Sequence, residues 1–152
     1  MKRFKFRLQS LLRYREYLER VAQQNTAKAQ MNVTNCEKQI FDLIQIWEKN
    51  ADEMESVINK GVNASTFRQY NDFLDSVQTT IKDEELKKIE LNKILREKLL
   101  ELKKKSVDKK AMELFKKKIK SRYDQEMIKT EQKELDETVI IKTARVKSNE
   151  TI

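Results

Sequence analysis

From Phe4 the apolar or small positions step through Leu8, Leu11, Leu18, Ala22, Ala29, Val33, Cys36, Ile40, Ile44, Trp47, Ala51, Met54 and Ile58, with Arg15 and Asn25 filling two steps. Those 15 steps cover 54 residues, a period of about 3.6, which is one face of a straight α-helix with little supercoil. The spacing predicts a first helix over about 4–59, roughly 80 Å long at about 1.5 Å per residue. Its stripe is weak in the N-terminal half, where Arg15, Asn25 and Ala29 stand in it, and strong from Ile40 to Ile58.

The pattern breaks once, at Asn59-Lys60-Gly61-Val62-Asn63-Ala64. Gly61 suits the left-handed position just past a helix C-terminus, with Lys60 against the negative end of the helix dipole. The turn is placed at 60–64, and a second helix is expected from Ser65 or Thr66, where Thr66-x-x-Gln69 reads as a capping box. This helix carries Tyr70, Leu74, Val77, Ile81, Leu91, Leu95, Leu99, Leu102, Ala111, Phe115, Ile119, Tyr123 and Met127 on its apolar face. Acid-before-base pairs four residues apart, such as Glu84/Lys88 and Glu101/Lys105, each add about 0.2–0.5 kcal/mol to its exposed surface. It is expected to run over about 65–141, leaving a disordered tail over 143–152.

The predicted fold is therefore all-α: a long two-helix antiparallel coiled-coil hairpin, one domain over 1–142. Folding about the turn pairs residue i with roughly 124−i. Everything after about Tyr123 then overhangs the first helix as a single C-terminal helix end, about 30 Å long.

Composition narrows the function. The chain has 152 residues, one Gly, no Pro, no His and one Cys. Sheets and barrels need frequent turns that this chain cannot build. Without histidine there is no Ser-His-Asp relay and no imidazole-ligated metal, and one glycine cannot form a phosphate-cradling loop. No catalytic activity, cofactor or metal is expected. Carboxylate groups such as Asp52/Glu53/Glu55 and Asp83/Glu84/Glu85 read as solvated helix face, and Cys36 reads as a small hydrophobe of the seam. No run approaches the roughly 20 apolar residues of a membrane span, and the basic start is cut by Arg13 and Arg15 before a signal-peptide core forms, so a cytoplasmic protein is expected.

Net charge is +8 and falls in blocks: +6 over residues 1–30, −4 over 31–80, +7 over 81–124 and −1 over 125–152. The lysine runs 103–105, 109–110 and 116–118 are interleaved with Glu101, Asp108 and Glu113 and fan around the helix, so a solvated face is expected there and no nucleic-acid partner. Residues 2–18 combine Lys2, Arg3, Lys5, Arg7, Arg13 and Arg15 with Phe4, Phe6, Leu8, Leu11, Leu12 and Leu18. Read as a basic amphipathic helix, this segment suits an anionic membrane surface, packing on the second helix, or an acidic protein surface. Just past the turn, Phe73 falls about 60–100° off the face of Tyr70, Leu74 and Val77, which is either a partner contact or an ordinary exposed aromatic.

Three segments in order carry a resemblance. Phe6-x-Leu8-Gln9-x-Leu11-Leu12 followed by Arg13, Arg15, Glu16 and Glu19, then Tyr70-x-x-Phe73-Leu74, then Glu131-Gln132-Lys133-Glu134-Leu135-Asp136-Glu137 together resemble the flagellar FliJ family. Thr138-Val139 departs from the bulkier aromatic or alanine that relatives often carry there. The resemblance implies a two-helix antiparallel coiled coil similar to the gamma stalk of rotary ATP synthases. It implies a non-enzymatic component of the flagellar type III export apparatus, peripheral to the inner face of the cell membrane at the flagellar base. The partners implied are the hexameric export ATPase, whose ring assembly and activity the family promotes, and the cytoplasmic domain of the membrane-embedded export gate, with a role in escorting export chaperones. On this chain it implies Gln9, Leu12, Arg13 and Arg15 with Gln132, Lys133, Asp136 and Glu137 for the ATPase ring, and Phe73 and Val77 for the gate. The readings that compete with it are a coiled coil that binds membrane surface or nucleic acid through its basic blocks, and the equivalent stalk of a virulence type III secretion system. Self-association is expected through the unpaired seam of the overhang.

Overall fold

A computed structural model describes residues 3–149 of the chain. Two helices account for nearly all of them: α1, Gln9–Asn59, and α2, Ala64–Asn149, with no strand among the described residues. The connection is built as the sequence implies at one residue and differently at another. Gly61 takes φ +83°, the left-handed conformation, and the amides of Lys60 and Gly61 donate to the carbonyls of Val57 and Ile58 to close the last turn of α1. The cap of α2 is Asn63 rather than Thr66. Its Oδ1 accepts the amide of Thr66 at 2.8 Å, which starts the helix at Ala64.

The structure forms two compact units, each containing part of both helices. The first comprises residues 1–17 and 106–152, the second residues 18–105. Within the second, Glu19, Ala22, Thr26, Ala29, Val33, Cys36, Ile40, Leu43 and Trp47 are the positions of α1 covered by α2. Their spacing alternates between three and four, a period of about 3.5 rather than the 3.6 expected. This is the heptad repeat of a left-handed coiled coil. The discrepancy has a simple origin. Polar Glu19 and Thr26 are buried in the seam, while their neighbours Leu18 and Asn25, which the 3.6 spacing selects, lie to its side. Thr26 meets the cost of burial by donating its hydroxyl to the Ala22 carbonyl at 2.8 Å, with the Lys98 carbonyl of the facing helix 3.2 Å away. Small residues at 22, 29 and 36 are among the most buried positions of α1, and Leu74 and Val77 are buried on α2 nearer the turn.

Facing residues keep the expected antiparallel register. Thr26 meets Lys98, Glu37 meets Lys88 and Cys36 meets Glu84 in the second unit, and Arg15 meets Asp108 and Gln9 meets Lys116 in the first, each within four residues of 124−i. On α2 the covered positions depart from the expected face in the same manner as on α1. Met112 is buried where Ala111 was expected, and Leu99 and Phe115 are largely exposed.

Both ends of the chain correct the expectation. Residues 3–6 are not helical, and α1 begins at Gln9 rather than near Phe4. At the other end α2 continues to Asn149, past the expected limit near 141, so residues 143–149 are helix rather than a disordered tail, and 150–152 lie outside the described residues. No helix among the described residues is long and apolar enough to cross a membrane.

Candidate functional site

The first unit holds the start of the chain against the middle of α2. Residues 3–7 alternate, with Arg3, Lys5 and Arg7 exposed and Phe4 and Phe6 half-buried, the period-two pattern of an extended strand-like segment rather than of the amphipathic helix expected there. Both phenylalanines meet aromatic partners on α2. The Phe4 ring centroid lies 5.6 Å from that of Tyr123, and Phe6 meets Phe115 edge-on at 6.2 Å. The Lys116 ammonium sits 5.9 Å above the Phe6 ring and donates to Gln9 Oε1 at 2.8 Å. These contacts favour packing on the second helix among the readings open for this segment, and they leave its three basic side chains facing solvent.

The residues implied for the ATPase ring fall into three physical classes. Leu12 is 3% exposed and belongs to the helix interface, so its side chain has nothing to offer a partner. Gln9 and Arg15 are half-buried and committed inward: Gln9 accepts from Lys116, and the Arg15 guanidinium donates to the Asp108 carbonyl at 2.9 Å. Arg13, Gln132, Lys133, Asp136 and Glu137 are exposed.

On α2 the last four occupy positions i, i+1, i+4 and i+5, a single face about 140° wide. They are not beside the α1 members of the set. Gln9 faces Lys116, and Gln132 to Glu137 lie 16–21 residues further along α2, roughly 24–32 Å away along the helix. The set is therefore two patches: one at the start of α1 and one on the overhang, where residues 128–147 are all exposed.

In the second unit the two residues implied for the gate separate in the same way. Val77 is 8% exposed and packs in the seam, whereas Phe73 is 44% exposed beside a shallow groove lined by Asn50, Thr66, Gln69 and Tyr70. Phe73 alone can meet a partner there. Sequence reasoning named Arg3, Lys5 and Arg7 but placed them on an amphipathic helix, although their strict alternation with phenylalanine already carried the period-two pattern.

Other chemistry is sparse. Cys36 is buried, with Sγ 3.4 Å from the Glu84 carbonyl oxygen and 3.6 Å from Glu84 Oε2. Desolvation, reinforced by the hydrogen bond and the charge of Glu84, pushes its thiol pKa up, which keeps it protonated and inert. Among the described residues no group of three or more His, Cys, Asp or Glu side chains is placed to hold a metal ion.

Neither the curated proteins nor the solved structures compared with this chain provide a match. A family model does, described as the flagellar FliJ protein and matching residues 4–148, from the first aromatic contact of the N-terminal segment almost to the end of α2. That match decides between the flagellar and virulence systems that the sequence left open. Matched over nearly its full length, the chain belongs to the FliJ family of flagellar export components.

Proposed function

We propose that this protein is a non-enzymatic stalk that binds and stimulates the hexameric export ATPase and couples it to the cytoplasmic domain of the export gate. The observation that carries the reading is the overhang. A helix end of about 20 residues, exposed on every side and carrying Gln132, Lys133, Asp136 and Glu137 on one face, is suited to a surrounding partner rather than a flat one. Arg13 and the outward triplet Arg3, Lys5 and Arg7 give the start of the chain a cationic surface complementary to acidic protein. Phe73 is the contact proposed for the gate. A stalk of this kind stimulates its ring by binding some subunit conformations more tightly than others, and needs no catalytic side chain of its own.

The test is turnover of the purified flagellar export ATPase with and without this protein. Stimulation is expected, and it should fall in Arg13→Glu, an exposed position, while Lys104→Glu leaves it unchanged. Arg15→Glu is the poorer probe because it also breaks the bond to Asp108. Absence of both complex and stimulation with the wild-type chain refutes the proposal. The competing reading, a membrane- or nucleic-acid-binding coiled coil, requires binding that collapses between low and physiological salt in the absence of any protein partner.

A further inference from the structure

In the first unit, Lys109, Met112, Lys116, Ile119 and Tyr123 are the positions of α2 covered by the start of the chain, alternating by three and four. Two residues before each four-three step lies the position that points directly away from that seam. Such outermost positions of a heptad are ordinarily the most polar of all. Here they are Val107, Leu114, Ser121, Ile128 and, one heptad further, Leu135. The four apolar members are each more than half exposed.

This outer stripe has a two-fold character. It reads the same in both directions about Ser121: Leu114 and Ile128 lie seven residues to either side, Val107 and Leu135 fourteen. The charges beside it are antisymmetric about the same point. Three residues after the first four stripe positions come Lys110, Lys117, Asp124 and Glu131, basic before Ser121 and acidic after it, while Thr138 follows Leu135. All four are exposed, and among the described residues none of them is held in an ion pair.

We infer that the outer face of α2 is a self-complementary interface that pairs antiparallel with α2 of a second copy of this chain, about a two-fold axis at Ser121. In that register Val107 meets Leu135 and Leu114 meets Ile128 of the other copy. Flank meets like flank across such an axis, so Lys117 faces Asp124 and Lys110 faces Glu131, each twice by symmetry. The opposite flank, four residues after the stripe, sets Ala111 against Gln132 and Lys118 against Gln125, with no like-charge opposition. Reversing the direction of pairing would bring opposite flanks together and set Lys117 against Lys118, with no acid opposite any lysine, so the charge order favours the antiparallel arrangement. The inference does not depend on the stalk reading, although pairing would cover Gln132.

Sedimentation velocity on the full chain over a range of concentrations tests it. A concentration-dependent dimer is expected, weaker at high salt. Lys117→Glu and Asp124→Lys, each converting two attractive contacts into repulsive ones, should separately weaken it about tenfold, and the double variant should restore it. These exposed changes leave the hairpin intact, as circular dichroism would verify. In a Cys36→Ala background, Ser121→Cys should give a disulfide-linked dimer on oxidation. A chain that stays monomeric, or a double variant no better than the singles, overturns the proposal. So does a monomer whose binding to the export ATPase is weakened by the same reversals, which would assign the face to the ATPase instead.

Discussion

Removing one ring from the N-terminal segment should release that segment without unfolding the helices. Phe6 makes an edge-on contact with Phe115 and lies under the Lys116 ammonium. An aromatic pair of this kind contributes about 0.5–1.5 kcal/mol beyond its buried area, and an exposed cation–π contact about 0.5–1 kcal/mol. Phe6→Ala forfeits both, so the docked segment loses about 1–2.5 kcal/mol relative to the released one, and the released fraction rises by about fivefold to seventyfold, since 1.4 kcal/mol is one factor of ten. The assay is limited trypsin digestion at the Arg7–Leu8 bond under conditions in which cleavage follows the open population. Phe6→Ala should be cut about tenfold faster than wild type, with helix content unchanged. Phe6→Leu, which keeps apolar area and loses the ring quadrupole, should fall between. A double-mutant cycle with Phe115→Ala should return a coupling of about 0.5–1.5 kcal/mol. Equal cleavage rates in wild type and Phe6→Ala would show that the aromatic contacts do not hold the segment, and the assignment of Arg3, Lys5 and Arg7 to one outward face would fail with them.

Gly61→Ala should lower stability by about 1 kcal/mol, read as a drop in melting temperature, because φ +83° is unfavourable for a Cβ while nothing lies within 4 Å of one placed there; Gly61→Asn should cost less. Burial raises the Cys36 pKa above its ordinary value of 9.0, so the folded state holds the proton more tightly than the unfolded one. Its contribution to stability is then complete below pH 9.0 and is lost as pH rises through that value toward the raised pKa. Denaturation curves should show wild type falling more steeply than Cys36→Ala above pH 9, and parallel curves would refute the burial argument.

Much of the fold was legible because the composition left few alternatives. One glycine in a chain without proline marks one turn, and the turn fixes the pairing of Thr26 with Lys98 some 36 residues to either side. The phase of the seam was less legible. Where apolar residues are adjacent, as at Leu11-Leu12 and Leu43-Ile44, hydropathy cannot choose between them. Glu19 and Thr26 were passed over because a 3.6-residue period selects their neighbours Leu18 and Asn25, yet they complete the three-four alternation. The implied site suffered from the same ambiguity. Leu12 lies in the interface where the spacing selected Leu11, and Val77 packs in the seam as the spacing placed it, since a motif residue on a two-helix hairpin is as readily a packing position as a contact. Arg13 and Phe73 survive because they lie on the outward side of a face whose inner positions are settled.

The length of α2 beyond its last contact with the start of the chain has a thermal consequence. From Ile128 to Lys147 every residue is exposed, so the order of the helix there rests on intrinsic propensity, local pairs and continuity with the helix behind it. An isolated segment of about this length is marginal in water. Its melting should therefore be gradual and precede that of the packed helices, with little heat-capacity change because little apolar surface is exposed by it. Any partner that encloses this segment supplies the missing half of its folding, and part of the affinity is spent on holding the helix fixed.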